Sequence, residues 1–146
     1  MKKILYMATS IDWYISDKNN KTPWSDEEWS NYKKAILKSK NLMIWYNTYK
    51  VMLNYWEFEN IWNPKTYIFT SKNIENTWNF IFVKNYDEFI QLAKLNNVEE
   101  ILIWWWSKLN TYFLENDLVD EIYLDIEPFI FWTWLKLFDN ISNNKS

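Results

Sequence analysis

With 146 residues, 49% of them hydrophobic and 24% charged, the chain has the size and balance of one globular domain. The absence of histidine and cysteine excludes disulfides, thiolate chemistry, the commonest general base and the usual zinc ligands, so no metal site is expected. A net charge of −3 with scattered lysines argues against a nucleic-acid partner, and no apolar run approaches the roughly 18 residues of a membrane span. The start MKKILYMATSIDWYI lacks the longer apolar core and small-residue cleavage site of a signal peptide, so a first strand and a cytoplasmic protein are expected.

In chain order, a strand is predicted over Lys3–Thr9 and a helix over Asp26–Ser39. Ser25 can cap that helix, Glu28 stands three residues on as in a capping box, and Trp29, Tyr32 and Ile36 give an apolar face. A short strand over Asn41–Ile44 leads to a helix over Asn47–Asn54, and Glu57–Pro64 is expected to be loop. Strands follow at Thr66–Thr70 and Phe80–Val83, then a helix at Asp87–Leu95, a strand at Glu100–Ile103, a helix at Ser107–Glu115 and a strand at Glu121–Ile126. Phe129–Phe131 and Lys136–Phe138 suggest a terminal hairpin. Repeated β–α units predict an α/β domain over residues 1–140, with a mostly parallel central sheet flanked by helices, and a polar tail over 141–146.

Two counts are abnormal: glycine is 0 and tryptophan is 12. Turns and helix ends need residues that accept positive φ, so a glycine-free α/β domain is hard to build. Trp24 and Trp29 lie beside or within the first helix and suit a core. The other ten, at positions 13, 45, 56, 62, 78, 104, 105, 106, 132 and 134, stand where turn chemistry asks for glycine. Some lineages read the codon UGA as glycine and others as tryptophan. A gene of the first kind decoded by the second table would account for both counts at once.

With glycine at those ten positions, the stretches around SIDWYI, IWYNTY, ILIWWWS and EPFIFWTWLKLF, together with DLVDEIYLDIEP, resemble the dihydrofolate reductase superfamily. The branch is that of the reductase domain of riboflavin-biosynthesis deaminase-reductases and their small stand-alone relatives. The resemblance covers about residues 3 to 138 and implies a dihydrofolate-reductase-like three-layer fold and an NADPH-dependent reductase, with NADH possible.

A strand, a small-residue triplet and then a helix start is also, on physical grounds, a phosphate-binding arrangement. The resemblance places the cofactor pyrophosphate against Ile103, Trp104, Trp105, Trp106, Ser107 and Lys108. It places further cofactor phosphates at Trp45, Tyr46, Asn47 and Thr48, where Tyr46 replaces the family's usual arginine. The adenosine ribose and its 2′-phosphate fall to Thr70, Ser71 and Lys72, with Lys72 a partial substitute for that arginine. Ala8, Asp12, Trp13 and Ile15 are expected to line the nicotinamide. Asp12 serves equally as a turn residue and Thr48 as a helix cap.

Hydride transfer to a C=N bond needs a proton at nitrogen, which a buried carboxyl with a raised pKa can supply. The folate-type acid lies five residues after the tryptophan of a Pro-Trp pair. Counting from Pro23-Trp24 gives Trp29, and Glu28 is adjacent but about 100° away on a helix. Glu28 and Asp125 are the two candidate acids. The expected substrate is a small molecule, a pterin or a ribosylamino-pyrimidine, handled by a monomer or homodimer. Two rival readings are a binding module that uses indoles as stacking platforms and a pseudoenzyme of the same fold.

Overall fold

The computed structural model describes residues 1–19, 21–104 and 107–138; Trp105, Trp106 and the tail 141–146 lie outside the described residues. The elements in order are β1 (Lys2–Ser10), β2 (Tyr14–Ser16), α1 (Asp26–Ser39), β3 (Asn41–Trp45), α2 (Tyr46–Asn54), α3 (Glu57–Asn60), β4 (Lys65–Phe69), β5 (Phe80–Val83), α4 (Tyr86–Leu95), β6 (Glu100–Trp104), α5 (Ser107–Glu115), β7 (Glu121–Glu127) and β8 (Leu135–Lys136). Six strands form one parallel sheet in the order β5-β4-β3-β6-β1-β7.

Strand alternation sorts the apolar side chains onto two faces. Leu5, Met7, Met43, Tyr67, Ile101 and Ile103 join one core beneath α4 and α5, which contribute Phe89, Ala93, Leu109 and Phe113. Ile4, Tyr6, Leu42, Ile44, Leu102 and Trp104 join the other beneath α1, α2 and α3, which contribute Tyr32, Ile36, Met52 and Phe58. Both faces are covered, as a parallel sheet requires. The chain crosses from β1 to β3 along α1, builds outward to β5, then returns by α4 to insert β6 between β3 and β1. The order reverses at that insertion, and in open α/β sheets the carboxyl edge at such a reversal is where ligands bind.

The expected C-terminal antiparallel pairing forms a separate two-stranded sheet, but the partner of Leu135–Lys136 is Tyr14–Ser16 and not residues 129–131. Asp12 explains the exchange. Its carboxylate accepts hydrogen bonds from Ser10 Oγ at 2.6 Å, Phe131 N at 3.2 Å and Trp132 N at 2.8 Å, clasping the β1–β2 turn to the late segment. The stretch expected to be loop after α2 also contains the short helix α3, because Phe58 turns fully into the core between the two.

Five of the ten tryptophans in question have positive φ: Trp13 (67°), Trp56 (56°), Trp62 (63°), Trp132 (65°) and Trp134 (152°). Three do not fit the expectation of a glycine-type torsion. Trp45 is extended at φ −85°, Trp104 closes a strand, and Trp78 is not among the positive-φ residues. At Trp45 and Trp104 the reason is that ladder pairing continues to the last strand residue, opposite Phe69 and Tyr6.

Candidate functional site

Helix α1 starts at Asp26 because the Ser25 hydroxyl accepts from Glu28 N at 3.1 Å. A full capping box would turn the Glu28 carboxylate back to Ser25 N. Here Glu127, at the end of β7, takes that place: its two oxygens accept from Ser25 N at 3.1 Å and Ser25 Oγ at 3.0 Å. Glu28 is thereby released, and with Tyr32, Ile36 and Ser39 it forms the buried stripe of α1. Of the counted position Trp29 and its neighbour Glu28, only Glu28 lies on that stripe. Glu28 faces the sheet at 4% exposure, and Trp29 is half-buried, edge-on to Tyr32.

The β1–β7 register puts Ala8 opposite Asp125 and Ser10 opposite Glu127. Tyr6, Ala8, Asp125 and Glu127 therefore share the α1 face of the sheet. Tyr6 donates its hydroxyl to Asp125 Oδ2 at 2.5 Å. Glu28 stands within electrostatic reach of Asp125 and Glu127, and burial first, then those two charges, push its pKa up to about 7. The Tyr6 hydroxyl is raised above its usual range by burial and by its bond to Asp125. The two candidate acids thus meet in one cluster, with Tyr6 and Glu127 as members that the chain order did not reveal.

Glu28 lines a narrow cleft with Met7, Ala8, Ile15, Trp24 and Trp104. Four of these, Ala8, Ile15, Glu28 and Trp104, were expected in the site. Trp24 was not; it is half-buried against Phe131 at 5.9 Å. Asp12 and Trp13 line a different, wider hollow of about 440 Å³ with Tyr14, Leu124 and the terminal strand. Asp12 is committed to its clasp, and although desolvation opposes it, the bonds from Ser10, Trp132 and Phe131 hold its carboxyl below the usual range.

Two helices begin where β3 and β6 end, side by side at the carboxyl edge. Helix α2 has no side-chain cap at Trp45. Thr48, in its first turn, is 3% exposed and its hydroxyl has no hydrogen-bond partner. Ser107, the first residue of α5, is 1% exposed and its hydroxyl likewise lacks one. Buried hydroxyls are ordinarily bonded; Thr48 and Ser107, at adjacent helix starts, are two of four unbonded ones among the described residues, with Ser16 and Tyr32. Asn47 and Lys108 are exposed beside them. The Lys72 ammonium lies 4.7 Å from the centre of the Tyr46 ring, and Lys50 lies 5.4 Å from it, so positive charge returns to the position where arginine was missed. The Thr70 Oγ accepts from Lys72 N at 3.1 Å, which leaves its O–H able to donate, and Ser71 is exposed.

Residues that suit phosphate oxygens are therefore present, while beside Glu28 the described residues leave no ring-sized space. Ile103 points into the opposite core, and Trp104 fills the α1 side. The remaining cavity holds about 10 Å³, room for one water. Glycine at position 104 would leave that side open.

No family model matches the sequence, and no curated protein matches it. The structure is similar to that of a riboflavin biosynthesis protein from Shewanella sp. PV-4, with a TM-score of 0.76 and 21% identity over all of this chain and 88% of that one. It is also similar to a diaminohydroxyphosphoribosylaminopyrimidine deaminase/5-amino-6-(5-phosphoribosylamino)uracil reductase from Thermotoga maritima, with a TM-score of 0.70 and 15% identity over 94% of this chain and 47% of that one. At these identities the likeness establishes the fold, which is the dihydrofolate-reductase-like α/β fold. Among the described residues no helix is long and apolar enough to cross a membrane.

Proposed function

We propose that this fold serves an NAD(P)H-dependent reductase acting on a C=N bond in a pterin or ribosylamino-pyrimidine. The observation that carries this reading is the buried Glu28 carboxyl, with a pKa of about 7, facing a cleft at the carboxyl edge of the sheet. A carboxyl that is half protonated near neutrality can give a proton to a substrate nitrogen and be recharged from water. Burial first, and then the Asp125 charge, keep that proton on Glu28, and Tyr6 holds Asp125 by its hydrogen bond.

Thr48, Ser107 and the Lys72–Tyr46 pair would hold the cofactor phosphates. When bound, the nicotinamide supplies the hydride, and the chain supplies orientation and the proton. The riboflavin-pathway names of the two similar structures favour the ribosylamino-pyrimidine, while the acid on α1 favours the pterin. The stacking-platform rival fits less well. Trp56 and Trp62 precede β4 whereas Trp13 and Trp45 follow β1 and β3, so the exposed indoles are split between opposite edges of the sheet.

The test is loss of absorbance at 340 nm with NADPH and each substrate, using protein carrying glycine at the ten positions. Turnover is expected to fall as pH rises through about 7, and Glu28→Gln is expected to lower it by about 100-fold or more. Folded protein that binds the dinucleotide yet reduces neither substrate would sink the reading in favour of the pseudoenzyme.

A further inference from the structure

We propose that the Trp104 indole is a built-in occupant of the ring slot of this cleft, so that the chain with tryptophan at position 104 is a self-plugged site. The proposal rests on the reading of the Glu28 cleft as the ligand site, and it adds a property of this chain that the reading does not contain.

Three observations converge on the plug. First, Trp104 is 4% exposed, whereas Trp13, Trp45, Trp56, Trp62, Trp78 and Trp132 are 39 to 79% exposed. An indole at the end of a strand has found a space of its own size inside the molecule. Second, its ring lies 4.2 Å from that of Tyr32 at an interplanar angle of 15°, the closest and one of the flattest ring pairs among the described residues. The other contacts of Tyr32 with Trp29 and Tyr6 are tilted or edge-on at 5.9 Å. Stacking of this kind is how a flat heteroaromatic ring would be held against a tyrosine face. Third, the same indole lines the cleft with Glu28, Ala8 and Ile15 and leaves about 10 Å³ free.

Removing the indole would therefore vacate a flat, largely apolar slot floored by Tyr32 and walled by Met7, Ala8 and Ile15, with the Glu28 carboxyl at its edge. Cavities walled mainly by apolar side chains take up small aromatic molecules. The ligand class is a planar heteroaromatic ring with a hydrogen-bonding nitrogen for Glu28.

Cavity complementation tests the idea with free indole as the probe. Trp104→Gly in the full chain is expected to show a saturable rise in Tm with indole, as binding to the folded state requires. Nuclear Overhauser contacts are expected between the probe and the Tyr32 ring. The unaltered chain is expected to show neither effect. A folded Trp104→Gly protein that indole does not stabilise overturns the proposal. So does an unaltered chain in which indole reaches the Tyr32 ring, a measurement that stands even where the variant fails to fold. Failure of the reductase reading looks different: protein with glycine at all ten positions binds indole but oxidises no NADPH with either substrate.

Discussion

The ends of α4 and α5 and the ends of α2 and α3 close with left-handed residues but with different chemistry. After α4, Asn97 adopts φ 54° and Val98 N bonds back to Ala93 O at 3.0 Å; after α5, Asp117 adopts φ 54° and Leu118 N bonds back to Phe113 O at 2.8 Å. After α3 the same closure recurs, with Asn63 N bonding to Phe58 O at 2.8 Å, but the left-handed residues are Trp62 (63°) and then Asn63 (48°). Trp56 takes that conformation after α2. Asparagine and aspartate reach this region at modest cost because their short polar side chains bond locally, whereas an indole has no such compensation. Trp56 and Trp62 are 71% and 55% exposed, so burial returns little of the strain. At equivalent torsions, the chain's own asparagines and aspartates are therefore expected to stand in for glycine at less cost than the tryptophans.

The sharpest way to break that contrast is to place glycine at Trp13, Trp56, Trp62, Trp132 and Trp134 together. Relief of strain at roughly 1–2 kcal/mol per site, less about 0.5–1 for glycine's freedom in the unfolded chain, gives a net gain of about 4 kcal/mol. Urea unfolding should show a higher midpoint at unchanged slope. Asn97→Gly and Asp117→Gly should each move stability by no more than about 0.5 kcal/mol. Trp29→Gly should run the other way, losing about 3 kcal/mol through lost packing on Tyr32 and the helix penalty of glycine. Equal effects at all of these positions would remove the distinction. Decoding of UGA as the source of the exchange predicts TGA, and not TGG, at the ten positions of the gene.

The helix ends concern torsion, whereas the buried stripe of α1 concerns charge, and Glu28 is its one carboxylate. Its folded pKa of about 7 lies above the ordinary 4.5, so the folded state holds the extra proton between those values. The Glu28 contribution to stability should be fully present below about pH 4.5 and be lost as pH rises to about 7. The full shift corresponds to about 3 kcal/mol, and solvent at the cleft mouth screens it to about 2. Glu28→Gln should flatten that slope, which urea titrations at pH 5 and pH 8 would measure.

Much of this fold is legible in the chain, because apolar alternation and helix-start chemistry are local. The strands around Ile4, Ile44, Ile68 and Ile103 and the cap at Ser25 need no tertiary knowledge. Strand β2 does: its three residues form a strand only through Leu135 and Lys136, more than a hundred positions away. In the candidate cleft, Ala8, Ile15 and Trp104 could be placed from their motifs, and Glu28 only as the neighbour of the counted position. Tyr6, Tyr32 and Glu127 could not, since their roles come from strand parity and from the α1–β7 contact. The two acids at 125 and 127 alternate on β7, and that spacing was the available signal for Glu127. Glu28 itself was obscured because a capping box normally spends its glutamate on the helix, and only Glu127 frees it.

The smallest expected effect separates burial from charge within the acidic cluster. Burial is the larger cause of the raised Glu28 pKa and the Asp125 charge the second. Asp125→Asn removes the charge and keeps an oxygen to accept from the Tyr6 hydroxyl, so the local geometry survives. The Glu28 titration, followed by carboxyl carbon chemical shifts, should move downward from about 7 but stay above the ordinary carboxylate value, because desolvation is untouched. The pH at which stability stops falling should move down with it, since a lower folded pKa narrows the window between the folded and unfolded titrations. An unmoved midpoint would assign the effect to burial and the Glu127 charge and leave Asp125 as a partner of Tyr6 alone. A midpoint that drops to the ordinary value would show that α1 desolvates Glu28 far less than its 4% exposure implies.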